Sequence, residues 1–155
     1  MLLRTHVAIA VLAILLFLPH ISGGFGKMIF AVVAVVACLM PDIDTMHSSV
    51  GKFKLFRIFQ FFIRHRGIFH SFTFCIAVSL VFAFFIPSLA LPFFLGYSLH
   101  LFGDAFTQEG IMPFWPLRKR AEWKLRTGSL IETNLFLTFI LLDLIVLMVI
   151  TKGFF

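Results

Sequence analysis

The sequence predicts an all-α polytopic membrane protein, one integral membrane domain over residues 1–155, and three observations point to it. Hydrophobic residues make up 61% of the chain and charged residues only 13%. The mean hydropathy is +1.06, more apolar surface than a soluble fold of this length can bury. The apolar residues also gather into five runs parted by turns or basic loops, as in helices that satisfy their backbone groups internally while crossing lipid.

The runs fall at about 3–22, 25–41, 68–87, 89–108 and 130–151. The uninterrupted apolar cores of the first two, Val7 to Pro19 and Met28 to Pro41, are shorter than the roughly 20 residues of a comfortable span. They fit two short helices or, as the alternative, a re-entrant hairpin; either returns the chain to its starting side. The first run follows one basic residue, Arg4, as in a signal peptide, but no A-x-A site follows, and it reads as a retained helix. Gly23, Gly24 and Gly26 form one turn and Pro87 to Pro92 another, so runs one and two, and three and four, pair as antiparallel hairpins. Cys38 and Cys75 lie inside apolar runs and read as core thiols rather than a disulfide. The 23 Phe residues, spread through those runs, read as lipid-facing and inter-helix packing.

Two long polar connections remain, 42–67 and 109–129. The first carries Lys52, Lys54, Arg57, Arg64 and Arg66, the second Arg118, Lys119, Arg120, Lys124 and Arg126. With five spans both lie on the side of Arg4, against Lys27 and Lys152 on the other. The positive-inside rule then puts the N-terminus and both basic loops in the cytoplasm. Residues 52–63, KFKLFRIFQFFI, alternate basic and aromatic residues and are expected to lie along the interface as an amphipathic helix. These loops account for the net charge of +6 through attraction to anionic membrane lipid. No nucleic-acid motif accompanies the charge, so a nucleic-acid partner is not expected. Nothing in the pattern sets an oligomeric state.

Ionisable residues in apolar segments are costly and mark partners or function. His6 is in the first turn of run one, Asp42 and Asp44 close run two, His65 and His70 open run three, His100 and Asp104 lie late in run four, and Glu132 opens run five. The topology places all of these at the cytoplasmic ends of their helices. His100 and Asp104 are i, i+4 on one helical face, suited to two ligands of one cation. In Pro41-Asp42-Ile43-Asp44 one carboxylate is placed to bind a cation, the other to bridge, orient or act as base. The expected ligands are therefore His6, Asp42, His70, His100 and Asp104, with Asp44 balanced between ligand and plain interfacial charge. The expected cofactor is a divalent metal, Zn or Mn, as one or two ions. His65 and Arg66 read as groups that support the site or hold phosphate, and Glu132 as a helix cap or a participant in the site. His20 and His47 read as ordinary interfacial residues. Asp143, midway along run five, is expected to bond a Ser or Thr of a neighbouring helix.

Thr5-His6, Pro41-Asp42-Ile43-Asp44, His65-Arg66-Gly67 with His70-Ser71, Gly96-Tyr97 with His100 and Asp104, Thr107 with Gly110, and Trp115-Pro116 follow one another in an order that resembles the YdjM-like family of LexA-regulated inner-membrane metal-dependent hydrolases. The resemblance covers nearly the whole chain. It implies a multi-pass protein of the bacterial inner membrane with His6, Asp42, Asp44, His70, His100 and Asp104 as site residues. Ala37 and Cys38 stand where relatives often carry glycine, a difference of helix packing.

The leading expectation is a hydrolase of a phosphate ester or phosphodiester in an anionic membrane lipid, with Asp44 or Glu132 as base and Arg64 and Arg66 holding the phosphate. The absence of H-E-x-x-H and G-x-S-x-G argues against an intramembrane metalloprotease and a serine hydrolase. The alternatives are a cation or proton transporter, disfavoured because the polar residues cluster at one membrane face, and a non-catalytic adaptor with a structural metal. Reporter fusions test the topology: Ser49 and Thr127 should report cytoplasm and Phe155 the opposite side, and a cytoplasmic Phe155 overturns the five-span count.

Overall fold

The computed structural model describes residues 1–44 and 67–153, without the side chains of Ile43 and Asp44. The expected interfacial helix at 52–63, and Arg64, His65 and Arg66 after it, lie outside the described residues. Five α-helices are described: α1 (Leu3–Phe17), α2 (Gly24–Leu39), α3 (Phe72–Phe85), α4 (Pro87–Ala105) and α5 (Leu130–Thr151). No strand occurs among the described residues, only two isolated bridges, Thr107 with Leu125 and Ile111 with Ala121.

The first two helical stretches exceed their uninterrupted apolar cores, because each begins four residues ahead of its core, at Leu3 and Gly24, and each continues past its proline in a 3-10 turn, Leu18–His20 and Met40–Asp44. Proline ends the regular α-helical pattern but suits the start of a new turn, where its missing N–H is not needed. The stretches Leu3–His20 (18 residues), Gly24–Asp42 (19 residues) and α5 (22 residues) are each long and apolar enough to cross a membrane. The third run is the short one. Gly67 leads into a 3-10 turn at Ile68–His70, and the Ser71 hydroxyl caps the helix by accepting from Phe74 N at 3.2 Å, leaving α3 with 14 residues. The α3–α4 hairpin returns the chain to the side it left whether it crosses the bilayer or dips into it.

Helix α4 is the centre of the packing. Phe93, Tyr97 and Leu101 join Ala37 of α2 and Cys75 of α3 in one buried cluster. Its contact with α2 is close: a Cβ at Gly96 would stand 2.0 Å from the Ala34 carbonyl oxygen. Helix α5 packs against α1 and exposes most of its other faces, with Leu130 83% and Ile131 66% exposed, as a lipid-facing helix must. On that helix Asp143 is only 7% exposed, yet neither carboxyl oxygen has a hydrogen-bond partner, so the Ser or Thr bond expected from sequence is not formed.

The connection from α4 to α5 is tied down. Ile111 and Ala121 exchange backbone hydrogen bonds of 2.9 Å, Trp123 N donates to Thr107 O at 3.0 Å, and Phe72 N donates to Pro113 O at 2.8 Å. Ile111, 1% exposed, closes the core under this loop, which is thereby fixed over the start of α3 and the end of α4.

Gly96→Ala should separate α2 from α4, because backbone cannot yield as a side-chain tip can. Thermal unfolding in detergent is expected to show a loss of about 1–3 kcal/mol or more, the usual range for overpacking, with unchanged stability contradicting the helix contact.

Candidate metal centre

Four pieces of chain deliver the site. The first turn of α1 supplies His6, and the Glu132 carboxylate fixes that turn. It accepts from Leu2 N at 2.6 Å and Thr5 Oγ1 at 3.2 Å through one oxygen, and from Gly128 N at 2.6 Å through the other. The 3-10 turn after α2 supplies Asp42. The turn before α3 supplies His70 and is held by Tyr97 Oη, which donates to Phe69 O at 2.6 Å, and by Ser71 Oγ, which donates to Ile68 O at 2.5 Å. Helix α4 supplies His100 and Asp104 from one face, and Thr107 Oγ1 bonds the Asp104 carbonyl at 2.7 Å as the helix ends.

These side chains converge. Asp104 Oδ1 lies 3.1 Å from His6 Nε2, and Asp104 Oδ2 lies 3.6 Å from His100 Nε2 and 3.7 Å from His70 Nε2. Asp42 Oδ1 lies 3.7 Å from His100 Nε2. The α-amino nitrogen of Met1 stands 2.5 Å from Asp104 Oδ1. The His6 and His100 rings stack with centroids 4.0 Å apart and 11° between planes, and the His70 ring meets His100 edge-on at 5.9 Å. His6, His70, His100 and Asp104 are at most 2% exposed, while the Asp42 side chain, at 16%, opens toward the surface.

The spacing fits a cation. A tetrahedral centre with bonds near 2.1 Å separates its ligand atoms by about 3.4 Å, and most of these nitrogen to oxygen distances fall a little beyond direct hydrogen bonding. Both ring nitrogens of His100 and Nδ1 of His6 are buried without a hydrogen-bond partner. Buried polar atoms are rarely left so, and a divalent ion is the partner this donor set suits. Two overlapping triads result, His6 with His100 and Asp104, and Asp42 with His70 and His100. The oxygen and nitrogen donors match Zn or Mn better than a soft-metal site, and neither cysteine joins a triad.

The chain matches the family model of the YdjM inner membrane protein over residues 1–154. The chain belongs to the YdjM family. It is 34% identical over 108 residues to "Inner membrane protein YdjM" of Escherichia coli (strain K12), an alignment covering 63% of this chain and 53% of the relative. The same values hold for the YdjM protein of Shigella flexneri. The chain thus spans about half the length of the curated relatives it matches. No solved structure matches it. Membership in this inner-membrane family agrees with the apolar helices: this is a membrane protein.

Of the residues singled out by sequence, the structure brings His6, Asp42, His70, His100 and Asp104 to one place. The Asp44 side chain, His65 and Arg66 lie outside the described residues. Glu132 joins neither triad, because its oxygens are occupied in holding the start of α1 to the start of α5. Gly103 was not legible as a site residue, yet a Cβ there would meet His6 Nδ1 and Cε1 at 3.0 Å and Met1 Cε at 2.6 Å. Its absent side chain makes room for the His6 ring, and the only sequence signal was a glycine directly before Asp104.

His100 is common to both triads. Metal analysis of detergent-purified protein should find His100→Ala empty after mild chelation, with His6→Ala and His70→Ala each retaining part of the wild-type content. Equal retention by all three variants would contradict a shared centre.

Proposed function

We propose that the chain is a membrane-bound, metal-dependent hydrolase that cleaves a phosphate ester or phosphodiester of an anionic lipid at the cytoplasmic face. The observation that carries this reading is the convergence of three imidazoles and two carboxylates from separate elements onto one point at the loop end of the helices. That depth corresponds to lipid headgroups. The basic loops 52–66 and 118–126 would gather anionic substrate there, which neutral acyl or peptide bonds would not need.

When bound, the metal supplies Lewis acidity and a water acidic enough to attack near neutral pH. His6, His100 and Asp104 would hold one ion, and a second would rest on Asp42 and His70. Asp42, the most exposed of these, would face the incoming phosphate and help orient the attacking water. Asp44, two residues along the same turn, is the proposed base. Arg64 and Arg66 would grip the phosphate through charge-assisted hydrogen bonds, with His65 supporting them. Glu132 acts at one remove, by fixing the turn that carries His6.

A second reading rests on one observation: the ligands other than Asp42 are almost fully closed off, as in structural metal sites. In that case the ion would only lock the helices of a membrane adaptor. Zn- and Mn-loaded protein assayed against glycerophospholipids, lipid phosphates and polyprenyl phosphates separates the two. Hydrolysis that disappears in His100→Ala and Asp104→Asn supports the enzyme. Folded, metal-loaded protein inert toward the whole panel, with ligand variants losing only stability, supports the adaptor.

A further inference from the structure

Helices α1 and α5 run parallel, pinned at their starts by Glu132, and a groove of about 840 Å³ lies between them. Its walls are apolar, including Val7, Ala8, Val11 and Ile140, while Arg4 stands at the end nearest the metal centre and Asp143 lies deeper. Arg4 reaches across to α5, where its guanidinium sits 5.1 Å from the Phe136 ring centroid and 3.4 Å from Thr133 Oγ1. Among the described residues no carboxylate pairs with it. Asp143 is buried on the groove side, with both oxygens lacking a hydrogen-bond partner. A carboxyl left so in hydrocarbon is costly, and such a residue commonly marks a ligand.

We infer that this groove is a phospholipid site: it takes one acyl chain of an anionic glycerophospholipid, with the phosphate on Arg4 and the chain running down the apolar walls toward Asp143. The dimensions agree. Asp143 lies seven residues beyond Phe136, about 10 Å along the helix, and its side chain leans back toward the helix start, which shortens the separation from Arg4. Between Arg4 and Asp143 the groove is therefore walled by apolar side chains over about 10 Å, room for the upper part of an acyl chain. The charge selects the head, because the Arg4 guanidinium at the mouth complements an anionic phosphate, and the apolar walls below accept only hydrocarbon. A second protein copy fits less well, since Asp143 faces its own α1 and not the exposed side of α5.

This inference rests on the lipid-hydrolase reading only for the fate of the headgroup. Binding is separate from turnover, so it is measured on full-length, metal-free protein. The probes are phosphatidylglycerol and diacylglycerol, which lacks the phosphate, each with a photoreactive diazirine midway along one acyl chain, in mixed detergent micelles. Phosphatidylglycerol should label α1 around Val11 and α5 around Ile140. A charge-assisted contact to Arg4 should favour it over diacylglycerol by about ten-fold, and Arg4→Gln should remove that preference. Val11→Trp and Ile140→Trp fill the groove from opposite walls, so at least one folded, monodisperse variant should lose most of the labelling. Equal labelling by the two lipids, labelling concentrated on the outward residues Leu142 and Leu147, or full labelling in both Trp variants overturns the site. Disulfide cross-linking between copies through Val11→Cys also overturns it, in favour of a second chain as the occupant. Phosphatidylglycerol that binds here but is not hydrolysed by metal-loaded protein leaves the groove standing and removes only that lipid as the substrate of the enzyme reading.

Discussion

A carboxylate buried among three imidazoles is the constraint on which the loop end of this bundle depends. Asp104 is 2% exposed and lies within 3.7 Å of ring nitrogens from His6, His70 and His100. Removing such a charge from water costs several kcal/mol even after relaxation, and only close positive charge with good geometry offsets it. A divalent cation held between these groups would supply that charge, taking one ring nitrogen from each histidine that binds it. The ligands come from the first turn of α1, the turns flanking the 45–66 connection, and α4, so one ion would tie together segments more than ninety residues apart in sequence.

The rest of the architecture serves that convergence. Gly96 lets α4 approach α2 closely, which brings the 3-10 turn carrying Asp42 beside His100. Tyr97, one residue along and fully buried, reaches the carbonyl beside His70. Gly103 clears space for the His6 ring, while Glu132 fixes the turn on which His6 sits. Each of these residues touches the backbone or flank of a ligand-bearing segment, and so sets position. The α4–α5 loop, clamped to the start of α3 through the Pro113 carbonyl and closed by Ile111, caps the same end.

Much of this was legible in the sequence, because hydrocarbon admits few solutions. Apolar runs with no water to satisfy their backbone must be helices, and the 130–151 run coincides with α5 as built. The His and Asp residues stood out because an ionisable group in an apolar run has few reasons to be there. Helix ends were less legible. Pro19 and Pro41 close the uninterrupted apolar cores but lie within 3-10 turns that carry the chain on to His20 and Asp44, whereas the polar entry at Gly67 to Ser71 shortens the third run. Roles that depend on three-dimensional neighbours could not be read at all. Glu132 looked like a cap or a base until its partners at Leu2, Thr5 and Gly128 were in view, and Gly103 looked like any small helical residue. Among the described residues Asp143 has no hydrogen-bond partner to be found by pattern.

The claim at the centre of this account is a nitrogen and oxygen metal site built on His100, and X-ray absorption spectroscopy of zinc-loaded protein tests it most directly. The account predicts a first shell of nitrogen and oxygen at about 2.0–2.2 Å, with imidazole scattering that vanishes in His100→Ala and no sulfur contribution from Cys38 or Cys75. A shell containing sulfur at about 2.3 Å, or the same imidazole signal in wild type and His100→Ala, would contradict it.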